Sequence, residues 1–348
     1  MLADEVLNEL YDEFYNYKGS GMAVMEMSHR GKDYLAVFED AKMRLRRIMG
    51  IPEDYEVFFM HGGATGQFAA VALNLLQGET ADYIVTGNFS KKAAKEAEKY
   101  GKVHIAYDGK ANDYSHIPED EELSFDPSSS YVYLCSNNTI YGTEWKRFPD
   151  VKDKILIADM SSDILSRRVD VKNFGLIFAG AQKNIGIAGI AVVIIRKDLI
   201  RTPLPVTPDI LSYELMAKHD SMLNTPPTYP IYVLGKVLKW IEDCGGLKVI
   251  EERNQAKAGL LYDCLDHQSF YRPHAEVNSR SLMNVTFTTP NEELDKKFAA
   301  EADREGLVSL KGHRLVGGLR ASIYNAMPLQ AVEKLVAFMD RFAKENVQ

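Results

Sequence analysis

Phe178-Ala-Gly-Ala-Gln-Lys-Asn-Ile-Gly-Ile-Ala-Gly-Ile190 is a glycine-rich connection between two short apolar runs, Gly175-Leu-Ile-Phe178 before it and Gly189-Ile-Ala-Val-Val-Ile-Ile195 overlapping its end. Both runs read as buried strands, which places Lys183 in a tight turn between them. Small residues on either side leave room for a large group to lie against the backbone. An amine aimed into that space is a candidate Schiff-base nucleophile. Taken alone, Lys183 is more simply read as a solvated loop lysine, since surface lysines are far more common.

The stretch Ile155-Leu-Ile-Ala-Asp159-Met-Ser-Ser162 changes that balance. It reads as a buried strand ending in an aspartate, and Lys183 follows 24 residues later, room enough for one crossover in a parallel α/β sheet. A carboxylate and an amine at neighbouring strand ends suit pyridoxal phosphate. The lysine holds that cofactor as an imine, and the aspartate pairs with its pyridine nitrogen. Asp159 alone would read as a cap or turn residue.

Working outward, Leu2, Val6, Leu7, Leu10, Tyr11 and Phe14 recur at helical spacing, with Gly19-Ser-Gly21 as the expected end of that helix. Ser28-His29-Arg30-Gly31 then precedes a second helix, a good position for gripping an anion. Glu56–Met60 reads as a strand, His61-Gly-Gly-Ala-Thr-Gly-Gln67 as a flexible turn and Phe68–Leu76 as a helix. Such a strand, glycine turn and helix N-terminus can cradle a phosphate, although glycines also serve turns generally. Further strands are expected at Asp82–Val85, Lys102–Ala106 and Tyr131–Cys135. Ala64, Thr65, Phe89, Thr139, Asp159 and Lys183 therefore all fall just after strands, on the edge where α/β sheets bind ligands. The C-terminal part reads as a smaller α+β domain, and we divide the chain at 1–252 and 253–348. Leu310-Lys-Gly-His-Arg-Leu-Val-Gly-Gly-Leu-Arg320 gathers His313, Arg314 and Arg320 among glycines, a composition suited to carboxylate and phosphate.

Composition bounds the function. The 348 residues carry a net charge of −8 with no long basic run, which argues against nucleic acid and anionic membrane as partners. Cys135, Cys244 and Cys264 are an odd count without metal-type spacing, so no metal is expected and a reducing compartment is. The start, Met1-Leu-Ala-Asp-Glu-Val, lacks an apolar signal core. A soluble, cytoplasmic enzyme is the expectation.

Glu26-Met-Ser-His-Arg-Gly-Lys32, Gly62-Gly-Ala-Thr65 with Gln67-Phe68, Asn137-Asn-Thr-Ile140 with Gly142-Thr143, Ala181-Gln-Lys-Asn184, Asn224-Thr-Pro-Pro-Thr228, and Gly312-His-Arg314 with Gly317–Ala326 together resemble the phosphoserine aminotransferases. The likeness runs over nearly the whole chain. It implies an α/β, fold type I pyridoxal phosphate enzyme of the class V aminotransferases, acting as a homodimer. The implied reaction interconverts 3-phosphohydroxypyruvate plus L-glutamate with O-phospho-L-serine plus 2-oxoglutarate, in serine biosynthesis. Whether the phosphorylated hydroxythreonine of vitamin B6 synthesis is a second substrate stays open. By the same resemblance Lys183 carries the cofactor imine and moves the substrate proton, Asp159 pairs with the ring nitrogen, and Phe89 stacks on the ring where relatives commonly have Trp. Thr139 hydrogen-bonds the ring substituents. Ala64, Thr65 and Gln182 hold the cofactor phosphate, joined by Asn224 and Thr225 of the partner subunit. Arg320 clamps the substrate carboxylate, and His29, Arg30, His313 and Arg314 receive its phosphate, some of them across the dimer interface.

Relatives usually begin with a segment like Asn-Phe-Ser-Ala-Gly-Pro, whereas this sequence starts at Met1-Leu2. The reading is either a truncated sequence or weakened substrate binding. Two other functions remain in view at this point: a lyase or desulfurase-like enzyme of the same class, which would need a nucleophilic cysteine, and a cofactor-binding protein without turnover.

Overall fold

The structure, a computed structural model, describes residues 1–346. Its main sheet is built from β1 (Tyr55–Met60), β2 (Thr80–Val85), β3 (Lys102–Asp108) and β4 (Ser129–Cys135). A small hairpin, β5 (Asn137–Asn138) and β6 (Thr143–Glu144), follows before β7 (Ile155–Asp159), β8 (Leu176–Gly180) and β9 (Ala191–Arg196). The seven-stranded order is β1-β9-β8-β7-β4-β2-β3. Every pair is parallel except those that β9 makes with β8 and β1. Residues 181–190 are too few for the crossover a parallel return requires, so β9 runs back beside β8. The link from β7 to β8 is long enough for a crossover, yet it consists of turns and one 3-10 turn, Val171–Asn173, with no α-helix.

The strands read as apolar runs because both faces of the sheet are covered. In β9, Val192 and Ile194 join one core while Val193 and Ile195 join the other; in β1, Val57 and Phe59 separate in the same way from Phe58 and Met60. One layer comprises α2 (Lys32–Met49) and α6 (Thr228–Asp243), with α1 (Asp4–Asp12) packed against α6. The other contains α3 (Gly63–Leu75), α4 (Asn88–Ala97) and α5 (Tyr213–Lys218). Helix α1 stops at Asp12, short of the Gly19-Ser-Gly21 end expected from the sequence. Beyond that point Tyr15 has no core to cover it and is 84% exposed, so the apolar period carries no helix further.

Helix α7 (Leu247–His267) contributes Leu247 and Ile250 to the first core, then Ala258, Leu261 and Leu265 to a third. That third core packs a three-stranded antiparallel sheet, β10 (Arg272–Pro273), β11 (Asn284–Thr288) and β12 (Leu319–Ser322), against α8 (Glu292–Arg304) and α9 (Leu329–Asn346). Edge-to-face contacts among Phe287, Phe298, Phe338 and Phe342 fill it.

Candidate active site

A cavity of about 390 Å³ opens at the carboxyl edge of the main sheet, where β1, β2, β4, β7 and β8 end. Ala64, Thr65, Phe89, Asp159, Gln182 and Lys183 all line it, with Cys135 and Ser161 beside them.

Its phosphate-sized end is made by the start of α3. Gly62 (φ 87°) and Gly63 (φ 56°) adopt left-handed backbone, which turns the chain sharply from β1 into the helix. The helix therefore begins at Gly63, five residues before the start expected from sequence, so Ala64 and Thr65 belong to its first turn. Gly66 N–H bonds to Gly62 O at 3.1 Å, whereas the amides of Gly63, Ala64 and Thr65 precede any helical acceptor. Gly180 faces them. A Cβ there would lie 3.3 Å from Ala64 N and 2.9 Å from Gln182 Oε1, so glycine keeps this cradle open. Free amides at a helix N-terminus beside a threonine hydroxyl and an amide suit the phosphate of the expected cofactor.

At the other end, Asp159 is buried at the tip of β7. Its Oδ1 accepts hydrogen bonds from Ser161 N at 2.9 Å and Ser161 Oγ at 2.5 Å. Burial raises its pKa, against the opposing pull of the Ser161 hydrogen bonds and the Lys183 charge. A buried carboxylate in this condition calls for a protonated partner in the cavity, as a pyridine nitrogen would provide. Phe89, in the first turn of α4, supplies an aromatic wall, with Lys183 Nζ 4.8 Å from its ring centroid. The residues present fit pyridoxal phosphate at both its charged ends.

The turn that presents Lys183 is held by its neighbour. Asn184 Nδ2 donates to Ile164 O at 2.7 Å, and Asn184 Oδ1 accepts from Asn325 N at 3.0 Å. Asn325 Nδ2 in turn reaches Leu165 O, and Asn254 Nδ2 reaches both Ser166 O and Asn325 Oδ1. Three buried asparagines thus clasp three consecutive carbonyls of the β7–β8 crossover and tie them to the segment after β12. Lys257 Nζ completes the clasp by donating to Ile323 O and Tyr324 O. Sequence reasoning quoted Asn184 and Asn325 in motifs without a task for either, and it passed over Asn254 and Lys257.

Arg320 rises from β12. Its NH1 donates to Thr139 O at 3.0 Å, and its Nε is buried without a partner among the described residues. Thr139, at the β5–β6 turn, is buried and does not line the cavity; the contact it makes is this carbonyl. His313 is half-buried, and its pKa is lowered by burial first and then by the charges of Arg320, Arg314 and Lys92. These four groups therefore share one positive neighbourhood. His29 and Arg30, at the turn before α2, do not line the cavity within this chain, and His29 Nε2 is buried without a partner among the described residues. Asn224 and Thr225 also lie outside its lining and sit against His61, whose Nε2 is 3.2 Å from Thr225 O and 3.5 Å from Asn224 Nδ2.

Behind Asp159 lies a buried charged group that sequence reasoning missed. Asp163 hydrogen-bonds Ser136 Oγ, and its pKa is raised to about 7, first by burial and then by the charge of Glu144. Glu144 is itself fully buried, with Arg167 Nε 3.3 Å away. Neither Asp163 nor Glu144 stands out in sequence, because their proximity arises only when the β5–β6 hairpin meets the crossover.

A family model described as aminotransferase class-V matches residues 1–335. The chain is 50% identical over 341 residues to a phosphoserine aminotransferase of Geobacillus kaustophilus, covering 97% of this chain and 94% of the relative. Among solved structures, a phosphoserine aminotransferase from Bacillus circulans subsp. alkalophilus superposes with a TM-score of 0.97 at 46% identity, covering 100% of this chain and 97% of that one. A PLP-bound phosphoserine aminotransferase from Trichomonas vaginalis superposes with a TM-score of 0.94 at 37% identity, covering 98% and 97%.

Proposed function

Because this chain belongs to the class-V aminotransferase family, whose model spans residues 1–335, we propose that it is a pyridoxal phosphate enzyme with phosphoserine as its substrate. It moves an amino group between L-glutamate and 3-phosphohydroxypyruvate, giving 2-oxoglutarate and O-phospho-L-serine, as serine biosynthesis requires. The observation that supports the substrate is the pair Arg320 and Arg314, neither with an acidic partner among the described residues, sharing one positive neighbourhood with His313 in a protein of net charge −8.

Pyridoxal phosphate, when bound, supplies an electron sink that lets the α-proton of an amino acid leave. Lys183 Nζ is the base that takes that proton and returns it. Asp159, whose burial disfavours an unpaired negative charge, holds the proton on the pyridine nitrogen. Ala64, Thr65 and Gln182 hold the cofactor phosphate, with Asn224 and Thr225 of the partner subunit. Phe89 covers one ring face, and Thr139, which lies off the cavity lining, acts there through the carbonyl that holds Arg320. Arg320 takes the substrate α-carboxylate with its orphaned Nε. His313 and Arg314, joined by His29 and Arg30, take the phosphate. A substrate without phosphate leaves those cations uncompensated, which is a penalty against alanine.

The reading includes a homodimer, supported by apolar groups exposed near the N-terminus such as Tyr11 (82%) and Tyr15 (84%). It includes a cytoplasmic location, supported by the free cysteines Cys135, Cys244 and Cys264. It also keeps the division at 252/253, inside α7, the helix that serves two cores. A desulfurase-like reaction would need a reactive thiolate. Burial pushes the Cys135 thiol well up and the Cys264 thiol up to about 12, the opposite of what that chemistry requires.

The test is an absorbance spectrum of the protein with pyridoxal phosphate, before and after O-phosphoserine and, separately, alanine. Loss of the visible band with phosphoserine alone is expected. A band indifferent to phosphoserine would overturn the substrate, and the phosphorylated hydroxythreonine of vitamin B6 synthesis belongs in the same assay as a second donor.

A further inference from the structure

Lys92 lies in α4 three residues after Phe89, so the two side chains share a helix face. Lys92 Nζ is 5.8 Å from the Phe89 ring centroid, and Lys183 Nζ is 4.8 Å from the same centroid. One aromatic ring at the cavity wall is thus flanked by two ammonium groups. The charge of Lys92 also reaches His313, where it acts together with Arg320 and Arg314. Lys92 thus lies beside the ring that walls the cavity, and Val316, in the loop that carries His313 and Arg314, packs on the same core as that ring. Among the described residues Lys92 has no carboxylate at ion-pair distance, whereas Lys99, just past the same helix, pairs with Glu96 at 2.6 Å. Lys92, His313, Arg314 and Arg320 share this charged neighbourhood, and among the described residues none of the four has an acid at ion-pair distance, in an acidic protein. Such an arrangement is costly unless an anion of more than one charge joins it.

We propose that Lys92 is a further specificity-determining residue, binding the substrate phosphate from the α4 side opposite His313 and Arg314. The inference rests on the phosphoserine reading. A phosphate monoester carries about −1.5 to −2 charges near neutral pH and the side-chain carboxylate of glutamate only one, so an added ammonium favours the former.

The experiment measures the phosphoserine and glutamate half-reactions separately for wild type, Lys92→Gln, Lys92→Arg and the control Lys91→Gln, with inorganic phosphate as a competing anion. Lys91 falls two positions after Phe89 and points elsewhere. Lys92→Gln is expected to raise the phosphoserine KM about tenfold, the loss of one charge-assisted contact, and that of glutamate by less than about twofold. Lys92→Arg should restore most of the difference, and Lys91→Gln should move neither. Equal rises for both substrates, or no rise for either, overturn the inference. A wild type that ignores phosphoserine overturns the substrate reading instead. In that case phosphate inhibition of the glutamate reaction decides for Lys92: a weaker inhibition in Lys92→Gln supports its anion contact, and an unchanged one removes it.

Discussion

The turn that carries Lys183 and the loop that carries His313 and Arg314 are built in opposite ways. The first is buried on both flanks, spliced between β8 and β9, and locked through Asn184 to Ile164 O and Asn325 N. The second is largely exposed, bends through Gly317 and Gly318, and leaves Arg314 without an acidic partner among the described residues. Chemistry needs one geometry held hard, since a base must meet one proton. Selection by charge needs cations that stay free until an anion arrives.

The largest effect should come from breaking the rigid side. Lys183→Ala removes the base and should lower the rate of amino transfer by a factor of at least about 10³, with some cofactor still retained by the α3 cradle. Rapid-quench turnover checks this, and a near-normal rate would show that another group moves the proton. On the open side, Arg314→Ala should raise the phosphoserine KM by about tenfold to a hundredfold and that of glutamate far less. Equal losses would make Arg314 a structural arginine.

Asn325→Ala sharpens the contrast. It deletes the bonds to Leu165 O and from Asn254 Nδ2, leaving buried groups unpaired. Stability should fall by about 2–3 kcal/mol in denaturant titration, while the ratio of phosphoserine to glutamate KM stays put. A changed ratio would mean that the clasp governs selection as well.

The smallest effect concerns Asp163. Its folded pKa of about 7 stands above the ordinary 3.8, so between those values the folded state binds the extra proton and the unfolded chain does not. Its contribution to stability is full below the ordinary pKa and is lost as pH rises through about 7. Asp163→Asn should flatten the fall in thermal midpoint across that window. An unchanged slope would place the proton elsewhere in the group formed with Glu144 and Arg167.

Much of this was legible before folding. Apolar runs such as Ile155–Ala158 announce strands because their pattern is local, and a glycine turn leading from β1 into a helix follows from the glycines themselves. The early start of α3 was missed because Ala64 and Thr65 carry no helical period, only the backbone freedom of the glycines before them. Helix α1 erred the other way: its apolar spacing continues past Asp12, but no neighbour covers Phe14 and Tyr15. The asparagine clasp was hidden for another reason. Asn184 and Asn325 are 141 residues apart, and a single asparagine in sequence names no partner.

The sequence alone determined the alternation of strands and helices, the lysine and aspartate at strand ends, and the identity of the cations, since these depend on side-chain chemistry and short-range spacing. The tertiary structure decided that β9 runs antiparallel, that Thr139 holds Arg320 by its carbonyl, that Asp163 meets Glu144, and that Lys92 lies against the Phe89 ring. Those facts depend on distances between segments remote along the chain, which are fixed only when both faces of the sheet are buried and the backbone groups between them have found their partners.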